Sequence, residues 1–272
     1  MSKQQYDGKV AIITGSSRGI GKAIAIELAK QGASIVLNGR NEERLLEAEI
    51  EVLKIHNRVI RVCCDVSTKE GGLQLIDSAI SSFNQIDILI NNVGISMRGY
   101  IADLNPDVFK TVFDSNVLGT INPTIPAIKH LRKTQGSVVF ISSLAGIRGL
   151  PSLSAYCSSK MALRAIAESI RIEEAQHKLH VGLIYVGITD IEHNKETIAA
   201  DGSKMILASR KNKNVQSTES VAKAVIKNIK SRKFITVLTS IGRLNSLLQP
   251  VFPMLVEKII LKNLKKFEER SK

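Results

Sequence analysis

The chain has 272 residues, 44% of them hydrophobic and 23% charged, an ordinary globular composition with enough length to bury a core. This excludes a chain that is mainly disordered, collagen-like or stapled by disulfides. Twelve basic and three acidic residues lie between Lys223 and the final Lys272, so most of the net charge of +13 belongs to a tail.

In chain order, short apolar runs at 10–13, 34–37, 59–62, 86–90, 138–141 and 181–185 predict strands buried on both faces. After the first run, Ile20, Ala23, Ile24, Glu27 and Leu28 share one helical stripe, and after the second, Leu45, Leu46, Glu49, Val52 and Leu53 do the same. A helical stretch over 106–133 contains Pro123 and Pro126; each lacks a backbone donor, so a kink or break is expected there. Strand and helix in alternation predict one doubly wound α/β domain with a parallel sheet over residues 7–239. The alternation stops beyond Gly187. The polar stretch 188–214, with Met205, Ile206 and Leu207 inside it, predicts a lid at about 188–216 over the carboxyl edge of the sheet. Residues 240–272 form a hydrophobic and basic extension.

Cys63, Cys64 and Cys157 have no metal-ligand spacing, and the start MSKQQYDGKV has no apolar signal region. A reducing, cytoplasmic setting without a bound metal is expected. Cys63 and Cys64 are read as buried small hydrophobes rather than redox groups. No stretch of 18 uncharged apolar residues predicts a membrane span.

Thr14, Gly15, Ser16, Ser17, Arg18, Gly19, Ile20 and Gly21 follow the first predicted strand and open the first predicted helix. Three glycines in that setting allow a sharp turn and bring backbone N–H groups up to a pyrophosphate at the positive helix end, which points to a dinucleotide. The second strand ends in Asn38, Gly39 and Arg40, where an NAD site would place an acid. With Arg18 in the turn and Arg40 beside the ribose position, two guanidinium groups can meet a 2′-phosphate, so NADP(H) is preferred over NAD(H). Asp65 and Val66 end the third strand and are placed at the adenine; Asp65 is equally a helix cap, and both readings stand.

Tyr156 and Lys160 are four apart on a predicted helix and project from one face. An ammonium one turn away favours the phenolate and makes the phenol a workable proton donor to a carbonyl. Ser143, at the end of the fifth apolar strand, can donate to a developing alkoxide. Asn91, Asn92, Val93 and Gly94 end the fourth strand, where the amides can fix neighbouring backbone, and Asn116 stands in a helical region that gains little from an amide.

These motifs, in this order from about Lys9 to Tyr185, resemble the short-chain dehydrogenase/reductase superfamily. The resemblance implies a Rossmann-type fold, a nicotinamide cofactor and a catalytic tetrad of Asn116, Ser143, Tyr156 and Lys160. It implies that Tyr156 donates the proton, Ser143 polarises the carbonyl, Lys160 binds the nicotinamide ribose and lowers the phenol pKa, and Asn116 holds a relay water. By the same resemblance, Gly15, Ser17, Arg18, Gly19, Ile20, Gly21, Asn92 and Gly94 line the cofactor, with Gly187 and Thr189 near the nicotinamide amide. The family usually has Ala where Val93 stands, and Pro and Gly after the sixth strand, where this chain reads Val186, Gly187, Ile188 and Thr189.

The expected activity is NADPH-dependent reduction of a ketone or aldehyde, or the reverse oxidation of a secondary alcohol. A lipophilic substrate such as a steroid or long-chain keto-lipid is expected, acted on by a homodimer or homotetramer. The alternative, a silent dinucleotide-binding scaffold of the same fold, has no chemical reason to keep Ser143, Tyr156 and Lys160 together. The tail is uncharged over 244–256, broken by Pro250 and Pro253. Beyond it, Ile259, Ile260, Leu264 and Phe267 share a helical face opposite Lys258, Lys262, Lys265 and Lys266. A peripheral contact with an anionic membrane, a dimer contact and a wall of the substrate pocket all fit that pattern. Nucleic acid does not, for want of an aromatic platform or a reading helix.

Overall fold

The computed structural model describes residues 5–190, 196–206 and 215–264. The chain begins β1 (Val10–Ile13), α1 (Gly19–Lys30), β2 (Ser34–Gly39), α2 (Glu42–Leu53), β3 (Val59–Cys63), α3 (Lys69–Phe83) and β4 (Ile88–Asn91). A two-residue strand β5 (Met97–Arg98) leads to α4 (Pro106–Phe113), a wide π turn (Asp114–Leu118) and α5 (Gly119–Thr134). β6 (Ser137–Ser143), α6 (Ser154–Glu173) and β7 (His180–Val186) follow, then the short strands β8 (Glu196–Ala199) and β9 (Lys204–Ile206). The described chain closes with α7 (Thr218–Ser231), β10 (Ile235–Val237), α8 (Ser240–Val251) and α9 (Pro253–Lys262).

Local sequence explains where the helices start. Asn41, Thr68, Ser217 and Thr239 each accept a backbone N–H three residues on, at the heads of α2, α3, α7 and α8. Such caps contribute about 1 kcal/mol each. Asn105 caps α4, with Pro106 in the first position, where its missing N–H costs nothing.

Seven strands pair in the order β10-β7-β6-β4-β1-β2-β3, all in parallel. The expected doubly wound sheet is therefore present, and the strand order reverses between β1 and β4. A ligand crevice forms at the carboxyl ends of strands flanking such a reversal. Along β1, Val10 and Ile12 face the layer built with α3, α5 and α6, whereas Ala11 and Ile13 face the layer built with α1, α2 and α7. The two-residue period thus feeds two cores at once. Ile12 and Ile13 are fully buried, so truncating either to Ala would cost about 2–5 kcal/mol.

Several expectations are corrected. Among the described residues, β3 is an edge strand whose Arg61 and Cys63 are exposed; Cys63 is not a buried hydrophobe, because it lies on this uncovered edge. Cys64 is half-buried, and burial pushes its thiol up to about 11. On α1 the fully buried residues are Gly21, Ile24, Ala25, Leu28 and Ala29; Ile20 and Ala23 pack partly buried against the same core, as expected, whereas Glu27 does not join it. On α2, Leu46 and Leu53 are exposed. α5 runs unbroken through Pro123 and Pro126. The irregularity falls earlier, in the π turn that carries Asn116, where the Thr120 hydroxyl donates to the Asn116 carbonyl.

The stretch expected to be irregular holds β8 and β9, which join β5 in a small second sheet. Residues 191–195 and 207–214, Leu207 among them, lie outside the described residues. In the tail, Pro250 sits inside α8, and the break comes at Phe252, with Pro253 opening α9. The expected face over Ile259, Ile260, Leu264 and Phe267 is described only in part, since Lys265, Lys266 and Phe267 lie outside the described residues.

His180, at the start of β7, is buried. Its Nε2–H donates to the Lys233 carbonyl at 3.1 Å, so Nδ1 accepts from the Ser137 hydroxyl at 3.1 Å. Burial drives its pKa down from 6.5 to about 4. A depressed histidine stabilises the fold above its unfolded pKa, and that contribution is lost as pH falls from about 6.5 through 4. A loss on the order of 3 kcal/mol is expected. Urea unfolding of wild type and His180→Gln between pH 7 and 4 checks this: the wild type should lose stability more steeply, and parallel curves would refute it.

Candidate active site

The turn after β1 is shaped by its glycines. Gly15 and Gly19 adopt φ of +62° and +57°, the left-handed region that side chains avoid. A Cβ on Gly21 would lie 2.4 Å from the Gly15 carbonyl oxygen and 2.6 Å from Asn92 Nδ2. Asn92, just beyond β4, donates from Nδ2 to the carbonyls of Thr14 and Gly15, both at 3.0 Å. In return, the Thr14 hydroxyl accepts from the N–H groups of Asn92 (3.0 Å) and Val93 (3.1 Å). The two turns at the strand-order reversal are therefore locked together. Arg18 precedes α1 without capping it through its side chain, and the first turn of α1 carries no acid. The positive helix end faces this notch uncancelled, as an anion site requires. Ser17 packs beside Gly39, at 3.3 Å from where a Cβ there would stand.

Asn38, near the end of β2, has no neighbour in sequence that marks it as a bracing residue. Its amide is buried, donates to the carbonyls of Val62 and Cys64 at 3.2 Å each, and accepts from Gly15 N–H at 3.4 Å. Arg40 lies at the mouth of the notch, paired with Asp65 at 3.3 Å, and both side chains are exposed. Asp65 Oδ1 also accepts from the Ser67 N–H (2.9 Å) and hydroxyl (2.7 Å). Burial pushes its pKa upward, but the Ser67 bonds and then Arg40 outweigh it and hold the carboxyl below its ordinary value. Asp65 thus caps a turn, while the cap of α3 is Thr68. The Val66 side chain is in the core and its carbonyl accepts from Asn122.

The second half of the site lies where β6, α6 and the π turn meet. Lys160 is buried, and its Nζ donates to the Ile141 carbonyl at 3.0 Å. A Cβ on Gly94 would stand 3.1 Å from Lys160 Nζ and 3.0 Å from Asn116 Oδ1, so all three residues meet at one point. Asn116 is fully buried: Oδ1 accepts from Ile95 N–H (2.7 Å), and Nδ2 donates to the Ile95 carbonyl (3.0 Å) and the Ser159 hydroxyl (2.9 Å). Ser159 donates in turn to the Tyr156 carbonyl at 2.9 Å. The Asn116 side chain is thus engaged in pinning the loop after β4 to the helix that carries Tyr156.

The Tyr156 ring packs among Met97, Val108, Val112 and Ala155. Burial raises the phenol pKa; the Ser143 hydroxyl, within hydrogen-bonding reach, pulls it back, and Arg98 on β5 adds to that pull. Lys160, one helical turn further on, donates from Nζ to the Ile141 carbonyl, the residue two before Ser143 on β6. Nothing in the spacing of Arg98 or Ser159 marked them, because only the tertiary fold brings β5 and the π turn to α6. Ser143 also accepts from Ala145 N–H at 3.2 Å, opening the turn after β6. Gly187 donates its N–H to Gln216 Oε1 at 3.2 Å, and Thr189 pairs with Gln216 backbone, so the segment after β7 is held from across the site.

The sequence profile of the short chain dehydrogenases matches residues 9–202. Among curated relatives, the 3-ketodihydrosphingosine reductase of Bos taurus is 38% identical over 189 residues, 67% of this chain and 57% of that protein. The chain therefore spans little more than half the length of that relative. Among solved structures, the alcohol dehydrogenase of the archaeon Thermococcus sibiricus, complexed with 5-hydroxy-NADP, is 26% identical with a TM-score of 0.75, covering 86% of this chain and 97% of that one. A short-chain dehydrogenase/reductase of Burkholderia phymatum, in complex with NAD, is 22% identical with a TM-score of 0.81, covering 94% of this chain and 96% of that one. This last likeness shows the shared fold alone.

Proposed function

The chain belongs to the short-chain dehydrogenase family, and from that premise we propose that it is an oxidoreductase that reduces a lipophilic ketone with NADPH, Tyr156 supplying the proton. One observation carries the reading: a phenol and a serine hydroxyl lie within hydrogen-bonding reach at the carboxyl edge of the sheet, with a buried ammonium one helical turn from the phenol and beside Gly94, next to a glycine-built notch that suits a dinucleotide.

The notch fits such a cofactor. Gly15, Ser17, Arg18, Gly19, Ile20 and Gly21 form the pyrophosphate cradle, Asn92 braces it, and the bare Cα of Gly94 leaves room beside Lys160, which would hold ribose hydroxyls. Asp65 and the Val66 backbone border the adenine, and Gly187 and Thr189 border the nicotinamide amide. When bound, the reduced nicotinamide supplies a hydride. Ser143 donates a hydrogen bond to the carbonyl oxygen and Tyr156 passes it a proton. Burial keeps the phenol protonated near neutrality, and Ser143 and Arg98 stabilise the charge it acquires on giving the proton up. Asn116 is a positioning residue that fixes the loop after β4 against α6.

Arg40 and Arg18 support NADPH over NADH. The Asp65 carboxylate preorients Arg40 at the mouth without burying it. Arg40→Ala is expected to lower kcat/KM for NADPH by about tenfold, the low end for a charge-assisted contact because the site is exposed, and to leave NADH use unchanged. Steady-state rates with both cofactors check this; an equal fall with both would remove Arg40 from the 2′-phosphate.

The named activity of the bovine relative supports a long-chain keto-lipid as substrate, with a steroid as the other lipophilic class. Exposed Ile125 on α5 and Ile172 on α6 support a homodimer or homotetramer, and we place the protein in the cytoplasm. The lid reading of the 188–216 stretch is supported by Ile198, which packs in the same cluster as Tyr156. NADPH oxidation against a panel of long-chain ketones, steroids and short ketones tests the whole reading. Turnover strongest with the lipids supports it, and cofactor binding without turnover on any ketone would replace it by a silent scaffold.

A further inference from the structure

α8 and α9 place most of their apolar surface in solvent. Ile241, Leu247, Val251, Phe252 and Met254 are each more than half exposed, while Gly242 is the buried residue of α8 and Val256 that of α9. An apolar surface this concentrated marks an interaction site. The inward side is already occupied: Gly242 lies so close to Leu144 that a Cβ would stand 2.4 Å from its Cδ2. Arg148 Nη1 donates to the Pro253 carbonyl at 3.4 Å, and Nη2 faces Glu257 at 3.6 Å. Among the described residues, these outward side chains stay largely in solvent.

Charge indicates the partner. Lys258 and Lys262 stand on α9 against one acid, Glu257, which is drawn to Arg148, while Arg243 on α8 turns back to the Val237 carbonyl at 3.0 Å. An apolar face flanked by cations complements lipid phosphates. A second copy docked face to face would set the same cations against each other. Among the described residues, no helix is long and apolar enough to cross a bilayer, which leaves a helix pair lying in the interfacial plane.

We propose that the outward face of α8 and α9 docks on an anionic lipid bilayer. Leu144 and Arg148, which grip the two helices, belong to the loop that follows Ser143, so the docked face lies one packing layer from the candidate active site. A long-chain ketone dissolved in the bilayer then reaches that site without crossing water. This last consequence rests on the ketone-reductase reading, but the docking itself does not.

Sedimentation of the full chain with vesicles, without cofactor or ketone, tests the docking. Wild type should pellet with phosphatidylglycerol/phosphatidylcholine vesicles, less with phosphatidylcholine alone, and less at high salt. Leu247→Glu with Val251→Glu should abolish pelleting at unchanged melting temperature, since both side chains are exposed. Lys258→Gln with Lys262→Gln should lower the partition coefficient about 30-fold. The proposal is overturned if wild type stays in the supernatant, or if the glutamate variant pellets equally. It is also overturned if the glutamate variant changes the oligomeric state in analytical ultracentrifugation, which would assign the face to a second copy. A protein that binds vesicles but turns over no ketone would sink the catalytic reading and leave the docking in place.

Discussion

Tyr156→Phe is expected to lower kcat for ketone reduction by about 10²–10⁴-fold, the range for removing a positioned proton donor. The substitution keeps the ring that packs against Met97, Val108 and Ala155, so the fold and KM should change little. Loss in kcat with KM preserved is the signature of a group whose contribution belongs to the transition state. The pH profile adds an independent check. Burial raises the phenol above its ordinary value of 10, and the protonated form is the donor. Reduction should therefore hold steady through neutrality, with any alkaline fall from this group lying above pH 10. An unchanged kcat in the variant, or a limb near pH 7 that persists in it, would assign the proton to another group.

Gly21→Ala should remove cofactor binding almost entirely. The new methyl carbon would fall 2.4 Å from the Gly15 carbonyl oxygen and 2.9 Å from Ser16 Cα, both on the backbone that shapes the cradle. Neither can swing aside as a side-chain tip could. The first turn of α1 must shift away from the turn after β1, taking its N–H groups off the pyrophosphate position. Overpacking of this kind costs about 1–3 kcal/mol of stability, and NADPH affinity should drop about 100-fold or more, since the cradle is what supplies it. Gly149→Ala is the control, because a Cβ there meets nothing within 4 Å. Titration calorimetry with NADPH separates the two. Equal affinities would mean that the glycine turn does not hold the cofactor.

Much of the fold was legible because two-sided burial leaves an uninterrupted apolar run, as β1, β2, β4 and β7 show. β3 misled for the same reason: an edge strand can carry Val59, Ile60 and Val62 while leaving Cys63 in water. β10, β5, β8 and β9 were missed because each is short and interrupted by a polar or charged residue, so none forms an unbroken apolar run. The prolines of α5 argued for a break, and the chain instead moves the irregularity into the π turn, which no residue spacing announces. At the site, the glycine turn and the Tyr156/Lys160 pair were legible because their chemistry is local to one turn of chain. Asn38, Arg98 and Ser159 were not. Each acts across the fold, on a partner supplied by another element. The same holds for the Lys160 ammonium, whose contact with Ile141 reaches back from α6 to β6.

The most direct test follows the two transfers together. Wild type and Tyr156→Phe are given 4-deuterated NADPH and a long-chain 3-ketone, and the alcohol is analysed by mass spectrometry. Deuterium should appear at the carbinol carbon with wild type and be lost, within the same time, with the variant. No deuterated alcohol from any ketone of the panel, or equal amounts from both proteins, would contradict the account.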